Sequence, residues 1–129
     1  PWLEKDLKDL TNSDDIKEPI TETLAFFHSI SDVWRDNPDA ALGAVYVFEG
    51  AAYGGASMLA SKIKEKFNFS EDGMAYLQGH GNQEKEKFSQ FKERLNKINF
   101  SVETQDKIIS CASITFHSID RIYKKIMES

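Results

Sequence analysis

The chain has 129 residues, 40% hydrophobic and 29% charged, which is the balance of one globular domain over 1–129. Lys+Arg 16 against Asp+Glu 21 leaves a net charge of −5, which argues against a general nucleic-acid or anionic-membrane binder. One cysteine, Cys111, excludes an internal disulfide framework and a cysteine-rich zinc site. No apolar stretch approaches the ~20 residues of a membrane span, and no signal peptide is visible, so the reading is of a cytoplasmic protein.

Taken in order, the elements are all helical. Pro1 to Leu10 forms a short amphipathic helix with Trp2, Leu3, Leu7 and Leu10 on its apolar side. Residues Thr11 to Asp15 are a polar break. A second helix begins near Pro19 and runs to Trp34, with Leu24, Phe27, Ile30 and Trp34 at helical spacing. Asp36-Asn37-Pro38 reads as a stop and then a start.

A long apolar helix then extends from Pro38 to Lys66, about 40 Å at full length, with Leu42, Val45, Phe48, Met58, Leu59 and Ile63 along it. Asn68-Phe69-Ser70 closes it before a short turn through Tyr76-Leu77, and Gly79-His80-Gly81 is a loop. Asn82 to Asn99 is a surface helix with Phe88, Phe91, Leu95 and Ile98 on one stripe. Ser101 caps the last helix, Glu103 lies in its first turn and Lys124-Lys125 in its last. Its apolar stripe is Ile109, Ala112, Phe116, Ile119, Tyr123 and Ile126.

The informative segment lies inside the long helix. Seven of the eight residues from Gly50 to Ser57 are small, and three are glycine. Glycine in a helix interior costs ~1 kcal/mol relative to alanine, so a compensating gain is expected. Gly50 and Gly54 share a face, where the backbone can approach another helix or a flat ligand, and the helix can bend. Periodicity alone favours a helix crossing. The Gly54-Gly55 pair tilts the balance towards a ligand, because close packing is met by alanine at less cost.

The stretch Ala41-Leu42-Gly43-Ala44-Val45-Tyr46-Val47-Phe48-Glu49-Gly50-Ala51-Ala52-Tyr53-Gly54-Gly55 resembles the distal helix of the bacterial, biliverdin-forming heme oxygenases. Downstream, Gly81 with Phe88 and Phe91 is similar to the family's Tyr-Gly loop and following Trp-x-x-Phe. Ala112-Ser113-Ile114-Thr115-Phe116 is similar to its Ala-x-x-Thr-Phe. The register holds from about Ala41 to the C-terminus, and Trp2 to Leu7 resembles the family's Leu-x-x-Asp-Leu helix.

The resemblance implies an all-α, heme oxygenase-like helical bundle with a kinked, glycine-rich distal helix. It implies heme as substrate and cofactor, O2 as co-substrate, and oxidative opening of the ring to biliverdin, carbon monoxide and iron. Gly50, Gly54 and Gly55 would lie over the porphyrin, Lys92 would meet a propionate, and Phe116 and Tyr123 would stand beside the pocket. From periodicity, Phe116 and Tyr123 are core residues, and Lys92 is one of several solvated lysines. The implied partners are an electron-donating reductase or ferredoxin and a phytochrome as biliverdin acceptor, with no nucleic acid and no membrane.

Several positions depart from the family pattern. Its proximal histidine lies on a helix upstream of everything matched, so that helix is expected to be missing from this chain. Ala51 stands where animal enzymes carry a distal acid, His80 where the loop tyrosine stands, and Phe88 where the tryptophan stands, which suggests a wetter or looser pocket near Phe88. His28, His80 and His117 read as surface or satisfied histidines, and none has a partner at zinc-ligand spacing. A di-iron site drawing on Glu22, Glu49, His80 and Glu84 is disfavoured because no Glu-x-x-His occurs. Cys111 reads as a small buried apolar residue, with thiolate ligation of heme as the remote alternative. The competing functional reading is a non-catalytic relative of the same fold, acting as a binding or interaction domain without an iron ligand.

Overall fold

The structure is a computed structural model that describes residues 2–11, 18–68, 73–79 and 81–128. Among the described residues every regular element is helical. In order they are α1 (Trp2–Thr11), α2 (Thr21–Asp36), a 3-10 turn (Pro38–Ala40), α3 (Ala41–Ala51), a π turn (Ala52–Ala56) and α4 (Ser57–Phe67). There follow α5 (Ala75–Gln78), a 3-10 turn (Gly81–Gln83), α6 (Glu84–Lys97) and α7 (Val102–Met127). The all-α expectation therefore holds. The polar break at 12–15, His80, and Phe69 and Ser70 of the expected helix stop lie outside the described residues.

Proline sets the limits of α2. Residues preceding a proline are biased to extended backbone, and Asn37, before Pro38, sits at φ −147°, ψ 104°. The helix consequently runs on past Trp34 to Asp36, and it starts at Thr21 rather than at Pro19. The Asn37 side chain accepts a hydrogen bond from the Asp39 amide (3.0 Å), opening the next turn with Pro38 at its first position.

The described residues cluster into two compact units. One, drawn from Lys17–Phe48 and Ile98–Ser129, pairs α2 with α7 and adds the Pro38–Ala40 turn and most of α3. Its core is Ile30, Ala40, Ala44 and Cys111, flanked by Phe26 and Val33. The face of α2 that packs is thus Phe26-Ile30-Val33, whereas Leu24, Phe27 and Trp34 of the expected stripe are exposed. Both sets satisfy a helical period, and the partner surface selects between them.

Gly43 marks a close approach to α7. A Cβ there would overlap the Ile108 carbonyl oxygen and stand 2.7 Å from the Ala112 nitrogen. Cys111 lies at this approach, and the buried residues of α7, Cys111, Thr115 and Ser118, are all small. Thr115 satisfies its hydroxyl by donating to the Cys111 carbonyl (2.8 Å). The expected large stripe of α7 is not core: Ile109, Phe116 and Tyr123 are 66%, 65% and 63% exposed, and only Ala112 and Ile119 are half-buried. Cys111 is fully buried, as its reading as a small apolar residue requires.

Polar groups close this unit. The Ser101 hydroxyl accepts from the Thr104 amide (3.1 Å), which is the expected cap of α7. Lys107 donates to Asp36 (2.7 Å) and pairs with Glu103 (3.0 Å), and these partners hold its ammonium above the ordinary lysine range. Asn37 donates to the Thr104 hydroxyl (3.3 Å).

The other unit is drawn from Pro1–Ile16 and Glu49–Lys97 and contains α1, the π turn, α4, α5 and α6. On α1, Leu3 and Leu10 are exposed, and the buried residue is Asp6. Lys5 pairs with Asp9 (2.6 Å), holding that carboxyl below its usual range. On α4, Met58 and Leu59 are exposed and Ala60 is buried; Asn68 ends the helix in the left-handed conformation (φ 53°). On α6, Glu84 and Phe88 are buried with Phe91 and Leu95 beside them, while Ile98 lies beyond the helix end and is exposed.

Gly43→Ala tests the close approach. The new methyl meets backbone atoms on α7, so a helix must shift, and stability should fall by about 1–3 kcal/mol. Urea unfolding measures it; an unchanged midpoint would show that α3 and α7 do not need the glycine.

Candidate functional site

The glycine segment behaves as its composition suggests. α3 is regular to Ala51, the next five residues form a π turn, and helical geometry is lost at Gly55 (φ 176°, ψ −4°). The expected bend between Gly50 and Gly55 is therefore present, with its centre in the second half of that interval. π turns inside α-helices recur at functional sites.

The three glycines have different surroundings. A Cβ on Gly50 would stand 3.5 Å from the tip of the Phe88 ring, in ordinary contact. Among the described residues, nothing beyond the adjoining chain lies within 4 Å of a Cβ built on Gly54 or Gly55. Among the described residues no helix meets Gly54 or Gly55 within 4 Å, and the tight helix approach is at Gly43. What remains at Gly54 and Gly55 is backbone with open space in front of it.

α6 supplies the side chains around this segment. Phe88 is 7% exposed. Tyr53 of the π turn stacks on it (centroids 5.4 Å, interplanar angle 22°), and Phe91 lies 6.5 Å from it at 24°. The Lys92 ammonium sits 4.9 Å from the Phe88 centroid, a cation–π contact that keeps a cation beside the aromatic group. The looser surroundings expected around Phe88 are not found, because Tyr53 and Phe91 stack against it.

The N-terminal side of α6 is held by two carboxylates. Asp6 accepts from the amides of Ala75 and Tyr76 (2.7 Å each), satisfying two first-turn donors of α5. Glu84 packs against Gly79, whose φ of +49° favours glycine.

Of the residues singled out from sequence, Gly50, Gly54, Gly55 and Lys92 fall in this one unit. Phe116 and Tyr123 belong to the other unit, on the exposed face of α7. His28 and His117 are exposed, and His117 Nδ1 donates to the Ser113 carbonyl (2.8 Å). Among the described residues, no group of three or more His, Cys, Asp or Glu side chains is placed to hold a metal ion, and no helix is long and apolar enough to cross a membrane. Sequence reasoning did not single out Tyr53, Asp6 or Gly43 as individuals. The signal for Gly43 was available in the matching small residues Ala40 and Ala44 nearby and Cys111, Thr115 and Ser118 on α7.

The glycine-rich break thus lies beside the Tyr53–Phe88–Phe91 aromatic group and the Lys92 ammonium. The family model described as Heme oxygenase matches residues 1–125, and the chain belongs to that family. The match includes the helices before Ala41 as well as those after it. No curated protein and no solved structure matches the chain.

Asp6→Ala should leave the two α5 amides buried without an acceptor and lower stability by about 1–3 kcal/mol. Asp6→Asn, which retains one acceptor oxygen, should lose less. Chemical denaturation of both variants separates a capping role from a purely steric one, in which the two losses would be equal.

Proposed function

We propose that the protein is a heme-degrading oxygenase, opening heme to biliverdin, carbon monoxide and iron with O2 and electrons from a reductase or ferredoxin, on the condition that a histidine of the family's proximal helix ligates the iron. The observation that carries this reading is the face at Gly54 and Gly55, where, among the described residues, no atom beyond the adjoining chain stands within 4 Å of a built Cβ. Heme, as substrate and cofactor, supplies the oxygen and redox chemistry, and the protein supplies position and polarity.

The residues present fit such a group. The backbone at Gly54 and Gly55 lets a flat ring approach to van der Waals distance, which any side chain there would prevent. That side then presents peptide groups and admits water, in place of bulky apolar side chains. Lys92 offers an ammonium to a propionate beside the Phe88 ring. Phe116 and Tyr123, which the family resemblance also associates with heme, are exposed on α7 of the other unit. The resemblance gives the ligand role to a histidine of the family's proximal helix, so His28, His80 and His117 have no ligand role in this reading.

We treat 1–129 as one heme oxygenase-like domain because the family match runs through both compact units. A cytoplasmic setting and a phytochrome as biliverdin acceptor belong to the same reading and rest on the resemblance.

Hemin titration followed by addition of an electron donor in air tests the function. Stoichiometric binding and conversion to biliverdin, with release of carbon monoxide, is the expected result. Binding without conversion would leave the non-catalytic binding domain in its place.

Gly54→Leu should block hemin binding while the apo-protein stays folded. Leucine is a better helix former than glycine by up to ~1 kcal/mol, so apo stability should hold or rise if the face is open. A fall of about 1–3 kcal/mol with unchanged hemin affinity would identify a packed crossing instead. Replacing His28, His80 and His117 together should leave the spectrum of the hemin complex as in wild type; a lost or altered Soret band would place a ligand among them.

A further inference from the structure

The π turn has the sequence Ala-Tyr-Gly-Gly-Ala over 52–56, so Tyr53 is its only residue with a side chain larger than methyl. A turn containing two glycines loses much conformational entropy on ordering, and it has a single side chain by which anything can hold it. That side chain stacks on Phe88, which is buried and whose ring tip lies 3.5 Å from the position of a Cβ on Gly50. Phe88 therefore touches the glycine helix on both sides of Ala51: at Gly50 through the missing side chain, and in the turn through the Tyr53 ring. Tyr53 keeps 44% exposure, so the stack is an edge of the unit and not part of a closed core.

From this we infer that Tyr53 is a positioning residue, anchoring the π turn to Phe88 and so pre-organising the Gly54–Gly55 backbone to receive a flat ligand. The inference deepens the oxygenase reading and rests on it for the identity of the ligand. With the turn already ordered, binding does not carry the entropy of ordering it. Without the ring, the turn opens more often, and ligand must select the ordered fraction.

The test has two arms. In the apo-protein, amide hydrogen exchange at Gly54, Gly55 and Ala56 reports opening of the turn. An aromatic pair of this kind is worth about two- to tenfold in an equilibrium constant. Tyr53→Leu should speed exchange at those amides about two- to tenfold while the later turns of α4 are unaffected, and Tyr53→Phe should restore wild-type exchange. Phe88→Leu should produce the same change, and the Tyr53→Leu/Phe88→Leu pair no more than the larger single effect. Since Phe88 is buried and its variant can lose the fold, the Tyr53 variants alone are sufficient. In the second arm, hemin affinity of Tyr53→Leu should fall, by at most that factor because only the ordered fraction of the turn binds, and that of Tyr53→Phe should not.

Unchanged exchange in Tyr53→Leu would overturn the anchor. Faster exchange with wild-type hemin affinity would overturn the positioning role and leave a purely structural contact. If the wild-type protein fails to bind hemin, the oxygenase reading falls, and the exchange arm still decides whether Tyr53 holds the turn.

Discussion

Backbone meets backbone where Gly43 of α3 lies against the Ile108–Ala112 stretch of α7. The missing side chain sets the separation of the two helices, and the separation sets what else can be there. Ala40 and Ala44 on one side and Cys111, Thr115 and Ser118 on the other fit because none projects far from its helix. A few residues later glycine serves the opposite purpose. At Gly54 and Gly55 the missing side chains leave space that nothing fills. The segment from Ala41 to Ala56 thus uses glycine first to bring backbone together and then to leave backbone bare, with Gly50 between the two, against the Phe88 ring.

α7 carries a wide apolar arc. A 26-residue helix carrying isoleucine, phenylalanine and tyrosine at three- and four-residue spacing offers more than one stripe that obeys the helical period. The large side chains make the more conspicuous one. α7 packs mainly against α2 and the Pro38–Ala40 turn; its small, partly polar stripe is buried, and Ile109, Phe116 and Tyr123 remain at the surface. The same selection operates on α2, where Phe26, Ile30 and Val33 turn inward and Leu24, Phe27 and Trp34 do not.

That selection marks what was legible in the sequence. The helical class, the caps at Ser101 and Asn37-Pro38, and the break among the glycines are local: each depends on a few adjacent residues whose backbone preferences are strong. The residues of the open face were legible for the same reason, since glycines within a helix advertise a need. Which stripe faces inward depends on the partner helix and could not be read from either helix alone. Asp6 was hidden for a related cause: a carboxylate in an amphipathic helix reads as solvated, and its burial follows from two α5 amides some seventy positions along the chain. Tyr53 lay within the recognised stretch, but its importance comes from the ring it meets on α6.

The contacts that close the two units interleave along the chain. Asp6 reaches Ala75 and Tyr76 in one, and Asp36 and Asn37 reach Lys107 and Thr104 in the other. Neither unit is a continuous stretch of polypeptide. During synthesis, the opening helix must wait for residue 76 to emerge before its buried carboxylate finds its donors, and α2 must wait for α7. A nascent chain therefore carries both halves unfinished through most of its elongation, and its apolar surfaces stay uncovered for longer than in a protein built from consecutive folding segments. The order of completion is written into the numbering: the unit containing the glycine turn can close first, and the one packed around Cys111 closes last.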